Sequence, residues 1–73
     1  MDVKYPEIDV QLTGGDGNAF AIIGAVTKAL RRARTADGQR IVSQEEIAEF
    51  QREATSGDYD NVLATAMRWV DVS

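Results

Sequence analysis

Apolar and polar positions alternate at the start of the chain. From Glu7 to Leu12, Ile8, Val10 and Leu12 fall on one side of an extended backbone, and Glu7, Asp9 and Gln11 fall on the other. That period of two predicts a half-buried strand, Ile8–Leu12, with one wet face. Pro6, which cannot donate to a ladder, suits its entrance. Thr13-Gly14-Gly15-Asp16-Gly17-Asn18 is a dense turn signal that must end the strand. Asp16 or Asn18 is the natural N-cap of the next element.

The period then changes. Ala19, Ile22, Ile23, Val26, Ala29, Leu30 and Ala33 recur at helical spacing and predict helix one over 19–34. Its first half is apolar nearly all round, because Phe20, Ala21, Gly24 and Ala25 fill the opposite side; such a helix is expected to be buried on every side. Its second half carries Lys28, Arg31, Arg32 and Arg34, cations that complement the negative end of the helix dipole. Thr35 to Arg40 reads as a loop with an Asp37-Gly38 turn.

Ser43-Gln44-Glu45-Glu46 is a capping box, and helix two runs from it to about Thr55 with an apolar stripe of Ile47, Phe50 and Ala54 plus Ala48. Ser56-Gly57 ends it, with the glycine expected in a left-handed conformation. Asp58 caps helix three, where Tyr59, Val62, Leu63, Ala66, Met67 and Val70 form an unbroken helical stripe. The tail, Arg68 to Val72, either completes that helix or leaves it as a short strand, since Trp69, Val70 and Val72 favour strands. A lone N-terminal strand needs a partner for its backbone groups. The in-chain candidates are this tail and Val3–Tyr5, and pairing between the two ends is the better choice. The expected fold is α+β: helix one at the centre, helices two and three packed on it as a hairpin, and a short N-terminal strand paired with a C-terminal one. An all-α three-helix bundle is the alternative.

Composition narrows the function. Seventy-three residues with 44% hydrophobic and 27% charged positions make a single globular domain over 1–73, small enough to be marginally stable. Cys 0 and His 0 remove disulfides, zinc fingers, iron–sulfur clusters and the commonest nucleophile–base pairs. The longest apolar run, Ala19 to Val26, falls far short of the ~20 residues that span a bilayer, and the N-terminus lacks a basic region followed by an apolar core. No membrane partner and a cytoplasmic location are therefore expected.

Few motifs carry chemistry. Gly14-Gly15-Asp16-Gly17-Asn18 lies between a strand and a helix, where phosphate loops lie. No Gly-Lys-Ser/Thr comes after it, Phe20 holds the third glycine position, and Asp16 would repel an anion. The same stretch resembles the Gly-Gly-Asp-Ser box of peptidyl carrier domains, but the serine that would carry phosphopantetheine is Gly17, and the motif precedes the first helix. Helices two and three could form a helix-turn-helix with Asp60, Asn61, Ala64, Thr65 and Arg68 facing the groove. Asp58 and Asp60 would then meet the phosphates, in a chain of net charge −4.

No paired carboxylates stand in an acid–base setting, and no serine has a base. Neither an enzyme nor a cofactor is expected. The acidic row Glu45, Glu49 and Glu53, with Glu46 beside it, reads as a solvated helix face and lacks a calcium-loop pattern. The uneven charge is more informative. Residues 28–40 hold the basic cluster Lys28, Arg31, Arg32, Arg34 and Arg40 against one acid, whereas residues 43–73 hold seven acids against two bases. Such a bipolar surface can orient a partner.

Two segments, Gly17-Asn18-Ala19-Phe20-Ala21-Ile22-Ile23-Gly24 with Val26, and Ser56-Gly57-Asp58-Tyr59-Asp60 followed by Met67 and Trp69-Val70, resemble short uncharacterised proteins of bacterial genomes, plasmids and phages. The resemblance covers roughly residues 8–72 and departs at 35–42. It implies a bacterial or phage origin and brings no assigned activity. The expected function is a non-enzymatic protein-interaction module, regulatory or accessory, with an unknown protein partner or a second copy. The candidate apolar interface is Phe20, Ala21, Gly24 and Ala25; the basic cluster is the candidate charged patch. The alternative is a nucleic-acid-associated protein that uses the basic cluster, a reading weakened by the net negative charge.

Overall fold

The computed structural model describes residues 3–11 and 18–72. Among them the order is β1 (Tyr5–Val10), α1 (Ala19–Arg32), α2 (Gln44–Ala54), α3 (Tyr59–Trp69) and β2 (Val70–Val72). The α+β fold is as expected, and the two ends of the chain do pair. β1 and β2 lie parallel, with Tyr5 opposite Val70, Asp9 opposite Asp71 and Val10 opposite Val72. A parallel pair needs a long crossover, and the three helices are that crossover.

The strand begins earlier than its alternation suggests. Pro6 lies inside β1, in the stretch between Tyr5 and Asp9 where the register slips, so its missing N–H costs no ladder bond. Ile8 and Val10 are buried while Glu7 and Asp9 are exposed, as the period of two requires. Leu12 and the 13–17 turn lie outside the described residues.

α1 packs against β1, α2 and α3 and is the central element. Asn18 is its N-cap, accepting from the Ala21 N–H at 2.8 Å. It stops at Arg32 rather than Arg34: Ala33 turns extended after its N–H reaches the Ala29 carbonyl. Arg34 then forms an antiparallel bridge with Arg40, closed by the Thr35–Gly38 turn, where Gly38 takes φ 85°. The Arg34 guanidinium donates to the Arg31 and Ala33 carbonyls and so satisfies the helix end.

α2 and α3 start as their caps dictate, Ser43 Oγ accepting from Glu46 N–H and Asp58 Oδ1 from Asn61 N–H, both at 3.1 Å. Three details differ from expectation. Ala48 is exposed, so the buried face of α2 is Ile47, Phe50 and Ala54. Gly57 is not left-handed. The end of α2 is closed instead by the Asn61 amide, which donates to the Glu53 carbonyl at 2.7 Å, and by the Thr55 and Ser56 hydroxyls, which donate to the Gln51 and Glu53 carbonyls. The buried face of α3 is rotated from the Tyr59–Met67 stripe onto Val62, Thr65, Ala66 and Trp69, leaving Tyr59 44% and Met67 61% exposed.

Trp69 causes that rotation. Its ring packs edge-on against Phe50 at 5.6 Å between centroids, and lies 6.1 Å from Tyr5, joining α3, α2 and β1. The core around it comprises Ile8, Val10, Ile22, Val26, Leu30, Val42, Ile47, Phe50, Ala54, Val62, Ala66 and Val70.

Candidate interaction surface

α1 is amphipathic, not buried on all sides. Its inward stripe is Ile22, Val26, Thr27 and Leu30. Phe20 stands two residues from Ile22, roughly 200° around the helix, and is 85% exposed. Gly24, one turn further along, is exposed too, with nothing within 4 Å of the place a Cβ would occupy. Ala21 and Ala25 are half-buried at the margins. Thus the four residues of the candidate apolar interface split: Phe20 and Gly24 face outward, and the two alanines border the core. The residues that gave the first half of α1 its apolar appearance are mostly small, and small side chains demand little burial.

A shallow depression of about 610 Å³ lies beside Phe20, with Ile23, Gly24 and Thr27 on α1 and Gln51 on α2 among its lining residues. The Gln51 amide donates to Thr27 Oγ1 at 3.3 Å and so partners a buried hydroxyl at its base. Lys28 and Arg32 border this depression and also a second cleft on the β1 side, so they form the ridge between the two.

The fold brings the basic cluster together. Lys28, Arg31 and Arg32 occupy the last turns of α1, and the Arg34–Arg40 bridge sets the other two side by side. All five are exposed, and among the described residues none pairs with a carboxylate. The helix-turn-helix candidates divide. Thr65 is fully buried and the Asn61 amide is bound to the end of α2, so these two do not face a groove. Asp60, Ala64 and Arg68 are exposed, Arg68 lying 3.7 Å from Glu53.

The acidic row divides in a way its spacing alone does not show. Glu45 and Glu49 are exposed, but Glu46 accepts from the Tyr5 hydroxyl and pairs with Lys4 at 3.3 Å. Glu53 accepts from the Trp69 indole N–H at 3.4 Å. The Lys4 ammonium also sits 4.2 Å over the Trp69 ring. The Tyr5 hydrogen bond, ahead of Lys4 and the Ser43 backbone N–H, holds the Glu46 carboxyl below the usual carboxylate range. Burial, then Glu46, pushes the Tyr5 hydroxyl well above its ordinary value. The i, i+7 spacing of Glu46 and Glu53 is the one signal in the sequence that could have set these two apart.

Among the described residues, no group of three or more acidic, His or Cys side chains could hold a metal, and no helix is long and apolar enough to cross a membrane. The Gly14–Gly17 loop and its carrier-like motif lie outside the described residues. The fold defines a small α+β domain with a parallel strand pair closed by three helices. No protein-family model, curated protein or solved structure matches the chain.

Proposed function

We propose that this protein is a non-enzymatic interaction module that associates through the outer face of α1, most simply with a second copy of itself. The observation that supports this is Phe20, a large apolar side chain 85% exposed beside a glycine that no intrachain contact requires. Burying a phenyl ring stabilises by roughly 1.5–3 kcal/mol, which this ring forgoes in the isolated chain. Two α1 helices crossing antiparallel at Gly24 could approach closely, and each Phe20 would then meet the other copy's Lys28 in a cation–π contact. Antiparallel packing also keeps the two basic helix ends apart. A regulatory or accessory role in the cytoplasm is part of the same reading; the resemblance to bacterial, plasmid and phage proteins bears on origin alone.

Sedimentation equilibrium tests this. The expected result is a species of twice 8.0 kDa that reverts to 8.0 kDa in Phe20→Ser without loss of helix content. A wild-type chain that stays at 8.0 kDa up to millimolar concentration sinks the self-association reading.

A second reading, nucleic-acid association, draws support from the five uncompensated cations. A gel shift at low salt decides it: a complex lost steeply as salt rises promotes the reading, and no complex removes it.

A further inference from the structure

Among the described residues β1 has one strand neighbour, β2, and a cleft borders it. A cleft of about 690 Å³ is lined by Glu7, Ile8, Asp9, Val10 and Gln11 in unbroken succession. Alternate residues of a strand point to opposite faces, so a cleft bordered by every one of them runs along the strand's edge. β2 contributes nothing to the lining, which places the cleft on the side away from it. Among the described residues, the backbone of 7–11 makes no hydrogen bond outside the β1–β2 pair. Those edge groups are free to pair with another strand.

The opposite wall is α1. Ala25, Ala29 and Ala33 recur every fourth residue and give it a low apolar floor, with Ile41 beside them. Lys28, Arg32 and Arg34 stand along its rim. Glu7 and Asp9 line the strand wall, yet no ion pair crosses the cleft among the described residues, so the two walls stand apart with unspent charge.

We infer that this cleft binds an extended, acidic segment of another protein, which adds to β1 as a third strand. Its main chain would pair with residues 7–11. Its side chains facing α1 would be small apolar residues over the alanine floor and carboxylates toward Lys28, Arg32 and Arg34. Those on the opposite face would lie beside Glu7 and Asp9 and so be uncharged or basic. A second copy is a poor occupant, because β1 paired antiparallel with itself sets Glu7 against Asp9, or Asp9 against Asp9, and like charges opposite one another destabilise a sheet. A helix is also excluded, since it cannot satisfy a strand edge. The site is separate from the outer face of α1 and does not depend on dimerisation.

The test is selection of a displayed library of random dodecapeptides on the full chain, followed by amide NMR with the enriched peptide. Enriched sequences are expected to be proline-free, alternating and acidic. They should shift and protect the amides of residues 7–11. Lys28→Glu combined with Arg32→Glu should weaken binding by at least about tenfold, and N-methylation of alternate peptide residues should abolish it. Phe20→Ser should leave it unchanged, which separates this site from the α1 face. Absence of enrichment, basic or proline-rich winners, shifts centred on Phe20 and Gly24, or undiminished binding of the N-methylated peptide would each overturn the proposal.

Discussion

The two sides of this domain use their side chains in opposite ways. Around Trp69, every feature closes on another: Phe50 and Tyr5 against the ring, Lys4 above it, and Glu53 on the indole N–H. On the outer face of α1, Phe20 has almost no cover, Gly24 fills no tight space, and the cations beside them have no carboxylate partner among the described residues. A chain this small has little core to spare. Its aromatic contacts are concentrated on one side, and the other side is the face proposed for association.

The widest break in that comparison is Trp69→Ala. Truncating a buried tryptophan costs about 3–5 kcal/mol, comparable with the whole stability of a domain near 70 residues, roughly 3–5 kcal/mol. Loss of the far-ultraviolet helix signal at 25 °C is expected. A cooperative urea transition close to that of the wild type would show that Trp69 is not the hub.

The Tyr5–Glu46 pair sharpens the same side through pH. Glu46 is held below its unfolded value, about 4.3, so its contribution is present above that pH and is lost as pH falls through the lowered folded value. Tyr5 is raised above about 10, so its contribution is present below that pH and is lost as pH rises through the raised value. Between these limits stability is expected to be nearly flat with respect to this pair. Tyr5→Phe should cost about 1 kcal/mol on that plateau and weaken the alkaline loss; Glu46→Gln should weaken the acid loss. Melting temperatures of the three proteins across pH check both limbs, and identical profiles would dismiss the pair.

Legibility in the sequence divides along the same line. The caps at Asn18, Ser43 and Asp58 are local devices, an oxygen reaching an N–H three residues on. Ser43 and Asp58 stand where their residue types imply, and Asn18 is one of the two candidates, with Asp16, that the sequence offers for helix one. Strand pairing between the chain ends was legible by elimination, since β1 needed a partner. The face of α3 was not. Its two overlapping stripes share Val62 and Ala66, and the choice between Met67 and Trp69 is made by Phe50 and Tyr5, which arrive from elsewhere in the chain. The Tyr5–Glu46 bond spans 41 residues and leaves no local trace. At the proposed surface, the basic cluster and Phe20 were readable as residues. Whether Phe20 would be covered was a matter of how far three short helices reach, and periodicity carries no information about that.

Two exposed glycines, Gly57 and Gly24, give the finest test of the comparison. A Cβ at Gly57 would come within 3.0 Å of the Asn61 side chain, which is held in place by its bond to the Glu53 carbonyl. Gly57→Ala is therefore expected to cost about 1 kcal/mol, because Asn61 can yield only by releasing the end of α2. A Cβ at Gly24 would meet nothing, and glycine in a helix interior is less stable than alanine by roughly 0.5–1 kcal/mol. Gly24→Ala should therefore stabilise the isolated domain by about that amount, read as a rise in urea midpoint at low micromolar concentration. If close helix approach is the reason for this glycine, the same substitution should weaken self-association, so stability and assembly would move in opposite directions. A variant that gains stability and associates as well as the wild type would leave Gly24 no role in the interface and move the contact toward Phe20 alone.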